Sequence, residues 1–225
     1  MGKLSIVATP IGNLEDITLR ALRILKECDI IYAEDTRVIS KLLARYEIKK
    51  PLRRLDAATE IKKADEIIAR LEAGERVALA SDAGTPGISD PGARLIAHVR
   101  ERLPEVKIEA IPGASALTTA LSIAGVDTGG FTFLGFLPHK KGRQTALKKL
   151  ATSEIPVVLY ESPHRILKLL TELSYSGEQR RVVIARELTK IHEEVVSGMP
   201  ADLLAHFAAH PDTVRGEFVV IVGSC

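Results

Sequence analysis

The twelve residues Ser81-Asp-Ala-Gly-Thr-Pro-Gly-Ile-Ser-Asp-Pro-Gly92 follow directly on the apolar run Arg76-Val-Ala-Leu-Ala80. Three glycines and two prolines in twelve positions exclude a helix or a regular strand, so the segment reads as a loop leaving the end of a buried strand. Asp90-Pro91 offers an N-cap and first-turn pair for a helix beginning at Ala93. In an open α/β sheet, ligands bind outside the carboxyl ends of the strands, in loops of this kind. Gly84 and Gly87 let backbone N–H and C=O groups approach a ligand with no Cβ in the way. A rigid turn that merely packs is the other reading of the same stretch.

Outward from this loop, strand-like and helical runs alternate. Short apolar runs predict strands over 4–8, 29–33, 77–80 and 107–111. Helical spacing covers 18–26, 36–46, 60–73 and 93–102, and Gly74 stops the third of these helices. The first half is therefore a parallel or mostly parallel sheet with helices on its faces. Pro112-Gly113-Ala114-Ser115-Ala116 leads into an Ala/Leu/Thr helix reaching about Ala124, and marks a crossover. In the second half, strands fall near 132–135, 156–160, 181–185, 193–197 and 217–222, and helices near 144–151, 163–173 and 201–209. Several of these strands lie too close together for helical crossovers, so the second sheet is mixed. The expectation is two α/β domains, residues 1–112 and 113–225, meeting at a cleft.

Hydrophobic residues make up 46% of the chain and charged residues 27%, the balance of a soluble globular protein with a real core. No apolar run reaches the roughly eighteen residues of a membrane span, and the chain opens on a strand rather than on a cleavable leader. Two cysteines, Cys28 and Cys225, give neither a disulfide framework nor metal spacing, which fits a reducing cytoplasm. Cys28 reads as a small buried hydrophobe. The net charge of +2 hides a local excess. From Pro138 to Lys168, seven basic residues (Lys140, Lys141, Arg143, Lys148, Lys149, Arg165, Lys168) stand against Glu154 and Glu161, a local charge of +5. Such a patch suits phosphate, although a solvated helix face explains Lys148 and Lys149 as well. Tryptophan is absent and aromatics are few, so base stacking on an aromatic platform is not the expected mode.

Beside the opening loop, three further strand-end segments exceed what packing needs. Val7-Ala-Thr-Pro-Ile-Gly-Asn-Leu-Glu-Asp-Ile-Thr18 contains a turn, with Asp16 or Thr18 placed to cap a helix; it lacks the spacing and lysine of a phosphate loop. Glu34-Asp-Thr-Arg37 can bind a polar ligand or cap a helix; capping explains Asp35 better than it explains Arg37. The last is split between Tyr160-Glu-Ser-Pro-His-Arg165 and Ala185-Arg-Glu-Leu-Thr-Lys190. There is no Ser-His-Asp arrangement and no metal cluster; His164 stands beside Arg165 at a helix start. What remains is a cleft ringed by strand-end loops.

Seven segments taken in order carry a resemblance: Thr9-Pro-Ile-Gly-Asn-Leu-Glu-Asp16, Glu34-Asp-Thr-Arg37, Ser81–Pro86 with Ile88–Gly92, Pro112-Gly113, Gly135-Phe-Leu-Pro138, Glu161-Ser-Pro-His-Arg165 and Ala185–Lys190. Together they resemble the ribosomal RNA small subunit methyltransferase I family, within the tetrapyrrole methylase superfamily, over nearly the whole chain. The resemblance implies a two-domain α/β fold of the class III methyltransferase type, with S-adenosyl-L-methionine in the interdomain cleft, and a cytoplasmic homodimer with no membrane role. It implies methylation of the ribose 2′-hydroxyl of a cytidine in the decoding region of 16S rRNA. Carried over by position, the cofactor site falls on Pro10, Ile11, Ala83, Gly84, Thr85, Ile88, Ser115, Ala116, Tyr160 and Leu188, with Glu161 close by. Thr85 stands where the tetrapyrrole branch often has aspartate, which favours RNA over a porphyrinogen. Two features depart from the family. Asp56-Ala-Ala-Thr-Glu60 replaces a His-Glu-x-Asn-Glu stretch, with only Glu60 matching, and many members continue well past the strand ending at Val222.

Methyl transfer to a ribose oxygen needs no covalent enzyme intermediate and no metal, so alignment carries most of the catalysis. A base or a cation at the developing alkoxide helps further. Glu161 and Glu187 are the candidate bases, and Lys190 a candidate cation. Arg37, Lys140, Lys141, Arg165 and Arg186 are the candidate substrate contacts. Structural roles compete with these: an Arg186–Glu187 ion pair, and Glu161 capping a helix that starts at Pro163. A methyltransferase acting on a small tetrapyrrole-like substrate, and a non-catalytic RNA- or nucleotide-binding protein, are the rival functions.

Overall fold

The computed structural model describes residues 1–175 and 180–224; Cys225 lies outside the described residues. The chain divides into two compact units, Met1–Ser115 and Ala116–Cys225, three residues beyond the expected boundary.

The first unit runs β1 (Lys3–Val7), α1 (Leu19–Glu27), β2 (Ile30–Ala33), α2 (Thr36–Arg45), β3 (Leu52–Arg54), α3 (Glu60–Glu72), β4 (Arg76–Ala80), α4 (Ala93–Arg102) and β5 (Lys107–Ile111). Its five strands pair in the order β3-β2-β4-β1-β5, all parallel. Strand residues alternate between two cores, as a period of two requires. Leu4, Ile6, Ile30, Tyr32, Val77 and Leu79 pack beneath α3 and α4. Val7, Ile31, Ala33, Ala78 and Ala80 pack beneath α1 and α2. Cys28 is buried in that second core, and burial pushes its thiol up to about 11. β1 and β4 are therefore neighbours whose following helices leave for opposite faces. That is the topological switch point, where open α/β sheets bind ligands.

The second unit runs α5 (Ala116–Ile123), β6 (Thr132–Phe136), α6 (Arg143–Ala151), β7 (Val157–Glu161), α7 (Ile166–Ser174), β8 (Val182–Arg186), β9 (Glu194–Gly198), α8 (Pro200–Ala209) and β10 (Phe218–Val222). The strand order is β6-β7-β10-β8-β9. Only β6 and β7 are parallel; β10 runs antiparallel to both its neighbours, so the sheet is mixed, as the spacing predicts. α6, α7 and α8 cover one face, where Leu150, Leu169, Leu173 and Phe207 meet Val157, Leu159, Ile184 and Val220.

Two local expectations need correction. β3 is absent from the sequence reading because Leu52-Arg-Arg54 has no apolar alternation; it is an edge strand defined by backbone pairing to β2. Asp90 does not cap α4. The cap position is Gly92, at φ +143°, with no capping side chain of its own. Instead the buried carboxylate of Glu60, on the first turn of α3, accepts from the N–H groups of Gly92 and Leu95, both at 2.9 Å. Two otherwise unpaired helix donors and the positive end of the helix dipole thus meet one anion. Glu60→Ala is expected to cost about 2 kcal/mol, and Glu60→Gln, which keeps the acceptor, to restore most of it. Chemical denaturation of the two variants checks this.

Candidate functional site

Three loops meet at the carboxyl edge of the first sheet. After β1, Thr9 pairs with Gly84 in a short antiparallel bridge, N–H to C=O in both directions at 2.9 and 3.1 Å. The Thr9 hydroxyl donates to the Ser81 carbonyl at 2.9 Å. After β5, the Ala114 carbonyl accepts from the Thr85 hydroxyl at 3.3 Å. Glycine is required where these loops touch. Gly84 sits at φ +84°, and a Cβ there would lie 3.3 Å from Ile11 and 3.6 Å from the Ala114 carbonyl. A Cβ on Gly113 would come within 3.0 Å of the Ala8 methyl. Ile11, Gly84, Thr85 and Ser115 are thereby brought together, with Pro10 and Ala83 on the same loops. Ile88, farther along the loop, is exposed.

This edge is rich in acid. Asp35 caps α2 by accepting from the Arg37 N–H at 2.9 Å, and Asp82 accepts from the Asp35 N–H at 2.9 Å. Asp90 accepts from the Ser81 hydroxyl. Burial pushes the Glu34 carboxyl up, and the nearby carboxylates of Asp90, Asp82 and Asp56 add to the shift. Arg37 extends into solvent and chelates Asp35; hydrogen bonds from its guanidinium hold that carboxyl at about 2. Thr18 caps α1, as one of the two residues expected to do so.

In the second unit the candidate residues divide. Glu161 is buried, accepts from the Ser162 N–H at 2.8 Å, and pairs with Arg165 at 2.7 Å and with Arg143 at 4.0 Å. Arg143, also buried, holds Glu172. Each arginine in turn grips a carbonyl of the loop after β6: Arg165 that of Leu137 at 2.9 Å, Arg143 that of Pro138 at 3.4 Å. Glu161 is thus the centre of a charged clamp and not an exposed base. It does not cap α7 either, since that helix begins at Ile166. Arg143 and Arg165 contribute less to the basic surface than their count suggests, because their charges are matched inside; Lys140, Lys141, Lys148 and Lys149 stay exposed. His164 is exposed as well.

Arg186 and Glu187 do not pair with each other. Arg186 is buried and bonds Glu194 at 3.0 Å, its cross-strand partner in β9. The Glu187 carboxylate accepts from Lys190 Nζ at 2.7 Å and from the Glu217 N–H at 3.0 Å. Burial raises its pKa, but these donors outweigh that and hold it below the usual glutamate value. Lys190 also reaches Glu217 at 2.9 Å. Glu187 and Thr189 take positive φ, 50° and 65°; for a β-branched threonine this is strained backbone, which persists where surrounding contacts over-determine it. Gly216 takes φ +83°, and a Cβ there would lie 2.2 Å from the Glu187 carboxylate, so a side chain would strain the turn and displace that carboxylate from its donors. Leu188 is buried, Tyr160 half-buried, and Ala116 opens α5. Sequence reading overlooked Glu60 as a brace for the loop, and Arg143 and Glu172 as members of the clamp.

The family model of the Tetrapyrrole (Corrin/Porphyrin) Methylases matches residues 3–204. The ribosomal RNA small subunit methyltransferase I of Thermotoga maritima is 46% identical over 223 residues, covering 99% of this chain and 98% of that one. The chain belongs to the ribosomal RNA small subunit methyltransferase I family. Among solved structures, the methyltransferase CobJ superposes with a TM-score of 0.73 at 22% identity, over 100% of this chain and 95% of that chain. The uroporphyrin-III C-methyltransferase of Thermus thermophilus, complexed with S-adenosylhomocysteine, gives 0.65 at 19% identity, over 99% of this chain and 97% of that one. The fold is the one the seven motifs imply. Among the described residues no group of histidine, cysteine and acidic side chains is arranged to hold a metal, and no helix is long and apolar enough to cross a membrane.

Proposed function

We propose that the chain methylates the ribose 2′-hydroxyl of a cytidine in 16S rRNA, with S-adenosyl-L-methionine as donor. The observation that carries this is the family membership joined to the chemistry of the first unit's carboxyl edge. S-adenosylmethionine supplies a methyl group on a cationic sulfonium, which a nucleophilic oxygen can take in one displacement. An edge lined by Glu34, Asp35, Asp82 and Asp90 favours a cation and disfavours a phosphate. Pro10, Ile11, Ala83, Gly84, Thr85 and Ser115 form a compact loop surface with little polar side-chain bulk, suited to an adenosine moiety. Ile88 supplies an exposed apolar contact on the same loop.

In the second unit, exposed Lys140 and Lys141 bind RNA phosphate. Arg165 supports that loop from behind, and Arg186 acts through Glu194. Lys190, half-exposed between two carboxylates, is the cation assigned to the developing alkoxide, and Glu187 orients it. The chain works as a homodimer in the cytoplasm, where small ribosomal subunits are made. Purified protein incubated with small subunits and methyl-labelled donor is expected to add one 2′-O-methyl group to 16S rRNA, located by mass spectrometry of nuclease digests. Label in a porphyrinogen and none in rRNA would overturn the reading.

A further inference from the structure

The second unit assembles an aromatic surface that its composition does not announce. Along a regular strand Phe133 and Phe136 would point to opposite faces, because side chains alternate with a period of two. β6 is not regular. Its register against β7 shifts between Phe133 and Gly135, and Gly135 takes φ +61°. A bulge adds one residue on one strand and re-aims the side chains beyond it. Phe136 therefore returns to the side of Phe133, and both rings meet Tyr160 of β7 edge to face, at centroid distances of 5.0 and 5.7 Å. Leu134 points the other way, into the core under α6–α8.

Phe136 nevertheless stays 54% exposed at the end of its strand. The Arg165 guanidinium lies 5.9 Å from its ring centroid, fixed there by Glu161 and the Leu137 carbonyl. Two and three residues beyond the end of the neighbouring Leu137-Pro138 segment, Lys140 and Lys141 project from a loop whose carbonyls are gripped by the buried Arg143 and the half-buried Arg165. A rigid, outward-facing aromatic ring beside cations is the composition of a single-strand nucleic-acid platform.

We propose that Phe136 is a stacking site for an unpaired nucleobase of the RNA substrate, with Lys140 and Lys141 on the flanking phosphates. This rests on the RNA methyltransferase reading and adds to it a specific contact with a base. Double-stranded RNA hides its base faces, so the site selects a segment whose bases are splayed.

The test uses binding of the full chain to a single-stranded oligoribonucleotide and to an oligomer of equal length with abasic sugars at its centre. Phe136→Ala is expected to weaken binding of the first about ten-fold and of the second hardly at all. Phe136→Leu, which keeps apolar volume without a π face, should resemble Phe136→Ala. Phe136→Trp should restore affinity and, in a chain that has no other tryptophan, report stacking by fluorescence quenching that the abasic oligomer does not produce. Lys140→Glu with Lys141→Glu should instead weaken both oligomers alike and flatten the salt dependence.

Equal affinities of wild type and Phe136→Ala for the base-containing oligomer would overturn the proposal, as would equal losses on both oligomers. So would a change in oligomeric mass by light scattering with RNA affinity unaltered, which would give this surface to a second copy of the chain. A wild-type protein that binds the oligomer as expected but methylates no small-subunit RNA would overturn the reading of function and not this site.

Discussion

Replacing Glu161 with alanine is expected to lower stability by about 3–5 kcal/mol, the cost typical of removing one partner from a buried ion pair. The carboxylate is 1% exposed and stands between the guanidinium groups of Arg143 and Arg165. One of its oxygens takes the Arg165 and Ser162 donors; the other makes no hydrogen bond and faces Arg143 at 4.0 Å. Without the anion, Arg143 keeps Glu172, but the two guanidinium groups face each other with no carboxylate between them. The corresponding fall in Tm is roughly 10 °C for a chain of this size. Glu161→Gln keeps the acceptor for Ser162 and loses the charge, so its loss should be intermediate. The same pair of variants separates a clamp from a proton acceptor. For a clamp, Tm falls and turnover of the folded fraction survives. A glutamine variant that melts like wild type yet has lost turnover a thousand-fold would make Glu161 the base.

Gly84→Ala is the second change with a large expected effect, and it acts on ligand affinity. The residue holds φ +84°, where an L side chain costs about 1–2 kcal/mol. Its backbone cannot relax without breaking both hydrogen bonds to Thr9. The added methyl presses toward Ile11 and the Ala114 carbonyl, moving all three loops at once. S-adenosylmethionine affinity, measured by calorimetry, is expected to fall at least ten-fold while Tm drops by only a few degrees. Unchanged affinity would remove this edge from the cofactor site.

Much of the architecture is legible in the sequence because buried parallel strands read as unbroken apolar runs, such as Val-Ala-Leu-Ala before the 81–92 loop. Leu52-Arg-Arg54 escapes that logic, since an edge strand with exposed side chains is ordered by its backbone alone. The carboxylate of Glu60 looks like a first-turn acid serving its own helix. It serves another one, 32 residues on, and only the packing of α3 against α4 reveals this. Arg186 sits beside Glu187 in sequence but across from Glu194 in the sheet, and register decides its partner. That Phe133 and Phe136 both meet Tyr160 depends on a bulge, which reverses the parity that a strand pattern assumes. The strand-end loops of the first unit are legible from their glycines and prolines, because turn chemistry is local.

The position of β10 bears on how the chain is made. Synthesis delivers β1 of the first unit before any of its neighbours, and one strand, β5, still follows the middle strand β4, so that sheet can close as soon as residue 111 has left the ribosome. In the second unit the middle strand, β10, comes last of all. Until Phe218–Val222 emerges, β7 and β8 each present a bare inner edge, and bare edges invite pairing with other chains. A nascent chain stalled after Gly198 carries two separate ribbons rather than a smaller sheet. It is the state in which this protein has most need of a chaperone.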